Sequence, residues 1–178
     1  MKLLTASVVA ALAALLATGS LALGSAHSAK TNSSLGLDEN WLSASIQGDR
    51  WEIAGGKIAL QKSQNQAVRA LAQTLITDHT KSLKDAIKTA NKLHVQIPHQ
   101  PSPVQQWSLK LFQSLSGSQF DLWYSTGEVA DHKQDISEAS NEHHAGKEPH
   151  VRAMAGHEIP TLKKHLSMAE AAVKSVGG

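Results

Sequence analysis

The chain contains no cysteine. That excludes thiol catalysis, a disulfide framework and a lipid-modified cysteine behind a leader. Aromatic residues make up 4% of the 178 residues, with one Tyr and two Phe. These and the β-branched residues are sparse and do not alternate, so strand signals are nearly absent. No Ser-His-Asp order, phosphate loop or dinucleotide fingerprint occurs. A large charge of one sign is also lacking. The formal net charge is +2, which argues against an electrostatic nucleic-acid binder. Lys81, Lys84, Lys88 and Lys92 line up on one helical face, as a solvated outer face would.

Long apolar runs are missing except at the N-terminus. There Lys2 precedes the apolar run Leu3 to Leu23, and small residues follow at Gly24, Ser25, Ala26, Ser28 and Ala29. This pattern reads as a secretory signal peptide over residues 1–29, cut between Gly24 and Ala29, in preference to a retained anchor. The expected mature chain, residues 30–178, is about 150 residues long, enough for one domain with one core. It contains no transmembrane segment. An exported domain without disulfides must be held by packing, which suits a bacterial periplasm.

Helical periodicity is strong, and it predicts an all-α fold. One long helix near 39–63 uses Leu42, Ile46, Ile53 and Leu60 on its inner face. A second near 66–94 places Val68, Ala72, Leu75, His79, Leu83, Ala86, Ala90 and Leu93 on one stripe. A third near 118–145 carries Leu122, Ser125, Val129, His132, Ile136 and Ala139. The fourth near 148–175 carries Val151, Ala155, Glu158, Leu162, His165, Ala169 and Ala172. Short links at 63–65 and 146–149 make two antiparallel hairpins. The segment from Val95 to Gly117, with Pro98, Pro101, Pro103 and a short helix near 104–115, is long enough to cross back along a ferritin-like four-helix bundle. Val68-Arg69-Ala70-Leu71-Ala72 is echoed by Val151-Arg152-Ala153-Met154-Ala155.

Two features run against helix propensity. Gly55 and Gly56 each cost about 1 kcal/mol relative to Ala. They belong to a stripe of small residues, with Ser45, Gly48 and Ala59 beside Glu52, that would let a neighbouring helix approach. Pro160 frees the carbonyl of Gly156 and predicts a kink.

Polar residues occupy positions that the periodicity assigns to the core: His79, His132 and His165, with Glu158 on the stripe of His165 and Glu52 on the small-residue stripe. Glu128 sits one turn before His132. Glu52, His79 and His132 each fall within about one residue, roughly 2 Å, of the midpoint of their helix, and Glu158 and His165 straddle the fourth midpoint. All therefore meet at one level. Imidazoles and carboxylates converging there suit a divalent transition metal such as Zn, Fe, Mn, Cu or Ni. Glu52, His79, His132 and His165 are the leading ligand candidates, with Glu128 and Glu158 behind them. Asp78 and Asp131 adjoin two of the histidines in sequence and are expected to support ligands or face solvent. Buried histidines also serve as structural hydrogen-bond networks, which stands as the alternative. A ferroxidase-type di-iron centre wants Glu-x-x-His on two helices, and the chain contains none. His143, His144 and His150 flank the last loop as a looser surface group.

Glu52 with Gly56-Lys57-Ile58-Ala59-Leu60, then Val68 to Ala72, then Asp78-His79-Thr80, resembles the bacterial domain-of-unknown-function 4142 family. The resemblance continues through Leu115-Ser116-Gly117, Phe120-Asp121, Tyr124 and Asp131-His132. It closes on Ile159-Pro160-Thr161-Leu162 and His165-Leu166. It implies an exported ferritin-like four-helix bundle whose biochemical role is not established. The family's recurring Glu and His positions fall on Glu52, His79, His132 and His165. Asp49-Arg50-Trp51 departs from the family pattern in bulk and polarity.

Two functions follow as expectations. One is a periplasmic metal-binding bundle for storage, buffering or stress protection. The other is a non-catalytic bundle that binds a partner or supports the envelope. An enzyme would need an open coordination position and a substrate pocket, and the reading leans away from one. No partner is identified, and a homo-oligomer is left open.

Overall fold

The computed structural model describes residues 36–177. The expected signal peptide over residues 1–29 lies outside them. Five helices follow in order: α1 (Gly36–Lys62), α2 (Gln66–Leu93), α3 (Pro103–Ser114), α4 (Gly117–Ala145) and α5 (Pro149–Val176). No strand occurs among the described residues. None of these helices is long and apolar enough to cross a membrane.

Helix starts follow from local chemistry. Asn65 caps α2, its side chain accepting from the backbone N–H of Ala67 and Val68 at 2.9 and 3.2 Å. Ser102 and Gln105 form a reciprocal capping box before α3, with Pro103 in its first turn. Glu148 caps α5 by accepting from His150 and Val151 at 2.7 and 2.9 Å, and Pro149 follows in its first turn. Each device satisfies N–H groups that a helix start leaves without partners. α2 ends on His94 in the left-handed region, φ 57°. Pro160 lies inside α5, and the helix continues through it.

The two sequence echoes have the same job. Arg69 donates to the carbonyl oxygens of Leu60 and Ser63 at 2.6 and 3.0 Å. Arg152 donates to the carbonyl of His143 at 3.0 Å. Each arginine therefore reaches nine residues back and ties the end of the preceding helix to the start of its own. Those carbonyls are the unsatisfied acceptors of a helix C-terminus, where a cation is also favoured by the helix dipole.

α1 pairs with α2, α4 pairs with α5, and the two pairs meet through α2 with α5 and α1 with α4. α3 lies against α1. Trp51 donates its indole N–H to Ser108 Oγ at 2.7 Å, Arg50 donates to the carbonyl of Pro98 at 3.0 Å, and Lys62 donates to the carbonyls of Gln113 and Leu115, both at 2.7 Å. Arg50 and Trp51 thus anchor the crossing segment.

Two apolar clusters form the core. One gathers Trp51, Ala59, Val68, Leu71, Ala72, Leu75, Phe112, Phe120, Tyr124, Ala169 and Ala172. The other gathers Trp41, Leu42, Ile46, Ala86, Ala90, Ala139, Val151, Ala155 and Leu162. On α2, α4 and α5 the three histidines fall in sequence between the two clusters, as Glu128 does, so a polar layer divides the core there.

Several expected core positions differ. Leu122 is 45% exposed. The Phe120 and Tyr124 rings, stacked at 5.7 Å, meet Phe112 edge-on from α3 and occupy the inner face instead. Ile53 and Leu60 are half-buried, because Trp51, Gly55, Gly56 and Ala59 fill the inner side of α1. The small-residue stripe splits in function. Ser45 and Gly48 line an open cleft, whereas Gly56 gives the close approach: a Cβ there would stand 2.8 Å from Ile76 Cγ1 and 3.0 Å from the Ala72 carbonyl oxygen. At Gly55 a Cβ would meet Tyr124, Leu109 and Phe112 at 3.6–3.9 Å, ordinary contact. Gly56→Ala is therefore expected to destabilise by about 1–3 kcal/mol of overpacking, less about 1 kcal/mol of helix propensity. Gly55→Ala is expected to stabilise by up to about 1 kcal/mol. Urea denaturation of the two variants checks the contrast, and equal effects would contradict it.

Candidate metal centre

Burial along α2, α4 and α5 brings three imidazoles together. Ring centroids lie 5.9 Å apart for His79 and His132, 5.3 Å for His79 and His165, and 5.2 Å for His132 and His165. One ligand nitrogen from each lies within 4.8 Å of the other two. His132 and His165 are at most 1% exposed and His79 is 7% exposed.

Each ring is held from behind. His79 Nδ1 is 2.8 Å from Asp49 Oδ1, His132 Nδ1 is 2.9 Å from the backbone carbonyl of Glu128, and His165 Nε2 is 2.9 Å from Asp78 Oδ2. A carbonyl or carboxylate oxygen accepts, so the nitrogen facing it carries the proton. The remaining nitrogens, His79 Nε2, His132 Nε2 and His165 Nδ1, then present lone pairs. All three are buried and meet no hydrogen-bond donor among the described residues. A buried polar atom without a partner costs about 1–3 kcal/mol. Three of them on mutually adjacent rings fit a cation.

Burial favours the neutral form of His132 and His165. Burial, then the neighbouring His79, pushes the pKa of His132 down to about 3. Burial also lowers His165, and its bond to Asp78 works against that shift. The same bond, with the charge of Lys164, holds Asp78 below the usual carboxylate range despite its partial burial. Neutral imidazole is the form that ligates a metal. An N–H tied to a carboxylate or carbonyl is how such ligands are oriented.

A second group shares His132. Its Nδ1 lies 3.7 Å from both Glu52 Oε1 and Glu128 Oε2, and the three residues form a set within 4.8 Å. Both carboxyls are fully buried. No side-chain or backbone donor among the described residues reaches any of their four oxygens. Burial and then the charge of Glu128 push Glu52 well above the ordinary glutamate range. Burial pushes Glu128 up to about 8. One proton shared between the two carboxyls would satisfy both. Tyr124 stands beside Glu128, its hydroxyl unpartnered and its pKa raised by burial and by the two glutamates.

A family model described as Domain of unknown function (DUF4142) matches residues 21–172. The chain belongs to that family. No curated protein and no solved structure matches it. Within this DUF4142 chain the four leading candidates do not form one group: His79, His132 and His165 make one, and Glu52 joins Glu128 and His132 in the other. Asp78 supports His165, and Asp131 forms no hydrogen bond or ion pair with a histidine among the described residues but lies beside Glu52. Glu158 belongs to neither group. It accepts from Ser82 Oγ at 3.2 Å, and burial, then the charge of Asp49, raises its pKa to about 8. His143, His144 and His150 form no ligand group among the described residues. His143 instead donates through Nδ1 to the carbonyl of Arg152 at 3.0 Å.

Asp49 and Tyr124 are the additions. Asp49 precedes Glu52 by three residues and so shares its face, a signal the sequence did carry. Tyr124 precedes Glu128 by one turn. An open cleft of about 1100 Å³ reaches the centre, with Asp49, His79, Asp135, Glu158 and His165 among its lining residues. Glu52, Glu128 and His132 are not in its lining.

Proposed function

We propose that the protein is an exported, ferritin-like four-helix bundle that holds a divalent transition metal on His79, His132 and His165. The observation that carries this reading is the set of three buried imidazole nitrogens that meet no donor while the opposite nitrogen of each ring is tied to an acceptor. The cyclic packing of α1, α2, α5 and α4, with α3 in the crossing segment, supports the bundle. The signal-peptide pattern at residues 1–29 supports export to the periplasm. Three nitrogen ligands favour Zn, Cu, Ni or Fe over hard oxygen-seeking ions.

A bound ion would supply Lewis acidity at a position with three protein ligands. The chain's own contribution is to fix the rings: Asp49 orients His79, Asp78 orients His165 and the Glu128 carbonyl orients His132. His79 and His165 border the cleft, so an ion could enter and leave there, which suits storage, buffering or stress protection.

Elemental analysis of the protein, purified without an affinity tag, tests this beside the His79→Ala, His132→Ala double variant. About one ion per chain in the first and none in the second is expected. No metal in either after reloading with Zn, Fe, Mn and Cu sinks the reading. Asp49→Ala is expected to weaken zinc binding about 10- to 100-fold through the loss of ring orientation. Titration against a competing chelator measures it.

A second reading, a partner-docking bundle with a structural core network, is favoured by exposed Val104, Trp107 and Trp123, at 76%, 64% and 54% exposure. Loss of function on changing Trp107 and Trp123, with function intact in the histidine double variant, would select it.

A further inference from the structure

We propose that Glu52 and Glu128, with Tyr124 and Asp131 beside them, form a second cation site of different character, selective for a hard divalent ion of the Mn(II) type. It rests on the three-histidine reading only in sharing His132 as a wall, and its donors are separate.

Six oxygens carry the inference: both of Glu52, both of Glu128, Asp131 Oδ2 and the Tyr124 hydroxyl. All are buried, and none has a hydrogen-bond partner among the described residues. Five belong to residues at 0% exposure, Glu52, Glu128 and Tyr124. The oxygen set is buried inside the bundle rather than on a face of it, and Tyr124 belongs to the apolar cluster of Trp51 and Phe112.

The nitrogen beside them is not a free donor. His132 Nδ1 gives its proton to the Glu128 carbonyl, so toward the carboxylates it presents an N–H edge, at 3.7 Å from each. His132 therefore divides the two sites. Its Nε2 lone pair belongs to the imidazole set, and its Nδ1 side faces oxygen. Hard ions take carboxylate, carbonyl and hydroxyl oxygens at about 2.0–2.6 Å, which places opposite donors up to about 5 Å apart. The 4.8 Å limit of the Glu52–Glu128–His132 set lies within that span. Softer ions would collect on the imidazoles and harder ones on the glutamates.

A structural, proton-sharing pair would make no such distinction, and Gln would replace either glutamate without consequence for ion binding. The protein, loaded with one equivalent of Zn(II), is dialysed against Mn(II) and read by elemental analysis and by loss of the free Mn(II) electron paramagnetic resonance signal. Wild type is expected to hold about one Zn and about one Mn per chain. E52Q and E128Q, each checked for an intact thermal transition, are expected to keep the zinc and to bind Mn(II) at least about 10-fold more weakly. His79→Ala with His165→Ala is expected to lose zinc and keep manganese. Wild type that binds no Mn(II), or E52Q and E128Q that bind it as wild type does, overturns the second site. Wild type that holds manganese but no zinc supports the second site and sinks the three-histidine reading.

Discussion

Zinc added to the metal-free protein at about a hundred times its dissociation constant is expected to raise the melting temperature by roughly 5–10 °C. Saturation at that level stabilises the folded state by about 2.7 kcal/mol, and a domain of about 150 residues gains about 2–4 °C per kcal/mol. The gain requires a site that exists in the fold and not in the unfolded chain. That condition is met here because the ligands come from α2, α4 and α5, and the groups that orient them come from α1, α2 and α4. His79→Ala with His165→Ala is expected to abolish the shift. His143→Ala with His144→Ala is expected to leave it whole, since those rings sit at the end of α4 and belong to no ligand group among the described residues. Calorimetry of the three proteins, with and without zinc, decides the matter. An unshifted wild type, or a shift retained in the core variant, would sink the three-histidine reading.

The histidines were legible in the sequence because a helical stripe and a position along the helix are both one-dimensional quantities. His79 and His165 fall on otherwise apolar stripes, and antiparallel helices of similar length bring their midpoints together. The division into two groups was not legible. Glu52 and His79 lie at the same level, but which of them meets Glu128 depends on the lean of each side chain along its helix, and a stripe does not carry that. Glu158 shows the same limit. It shares a face with His165, seven residues on, which is about two turns or roughly 10 Å along the axis, and it pairs with Ser82 instead. Leu122 failed for a different reason. A hydrophobic period reports an inner face but not the competition for it, and α3 brings Phe112 against Phe120 and Tyr124, whose rings outcompete a leucine for the space. The position of α3 itself rests on contacts such as Trp51 with Ser108, 57 residues apart, which no local pattern encodes.

In the presence of a chelator, the protein is expected to be most stable near about pH 4–4.5 and to weaken on both sides. Two opposed sets of groups produce this. Glu128 and Glu158 are raised from 4.5 to about 8 in the folded state, chiefly by burial. Between those values the unfolded chain has ionised them and the folded chain still holds their protons. Stability is therefore full below about 4.5 and is lost as the pH rises through about 8. Glu142, raised to about 7 by burial and by Asp38, adds to that limb from the end of α4. His132 behaves in the opposite sense, lowered from 6.5 to about 3 by burial and by His79. The unfolded chain protonates it first, so stability is lost as the pH falls from about 6.5 through about 3. Only the carboxyls act above about 6.5 and only the imidazole below about 4.5. Between those limits the three carboxyls outweigh the one imidazole, which places the maximum near about pH 4–4.5, where the unfolded chain regains the carboxyl protons. At about 1.4 kcal/mol per unit of pKa difference, Glu128 and His132 each contribute a few kcal/mol, and Glu158 less because of its partial exposure. Urea denaturation at pH 3, 4.5, 5.5 and 8.5 measures both limbs. Glu128→Gln with Glu158→Gln is expected to flatten the alkaline limb and leave the acid limb in place. Stability that climbs from pH 5.5 to 8.5 would mean that these carboxyls are already ionised in the folded core, and would contradict the proton-sharing pair. A cation beside the carboxyls offsets their mutual repulsion, so the alkaline limb is also expected to shrink when Mn(II) replaces the chelator, and to do so in wild type but not in E52Q.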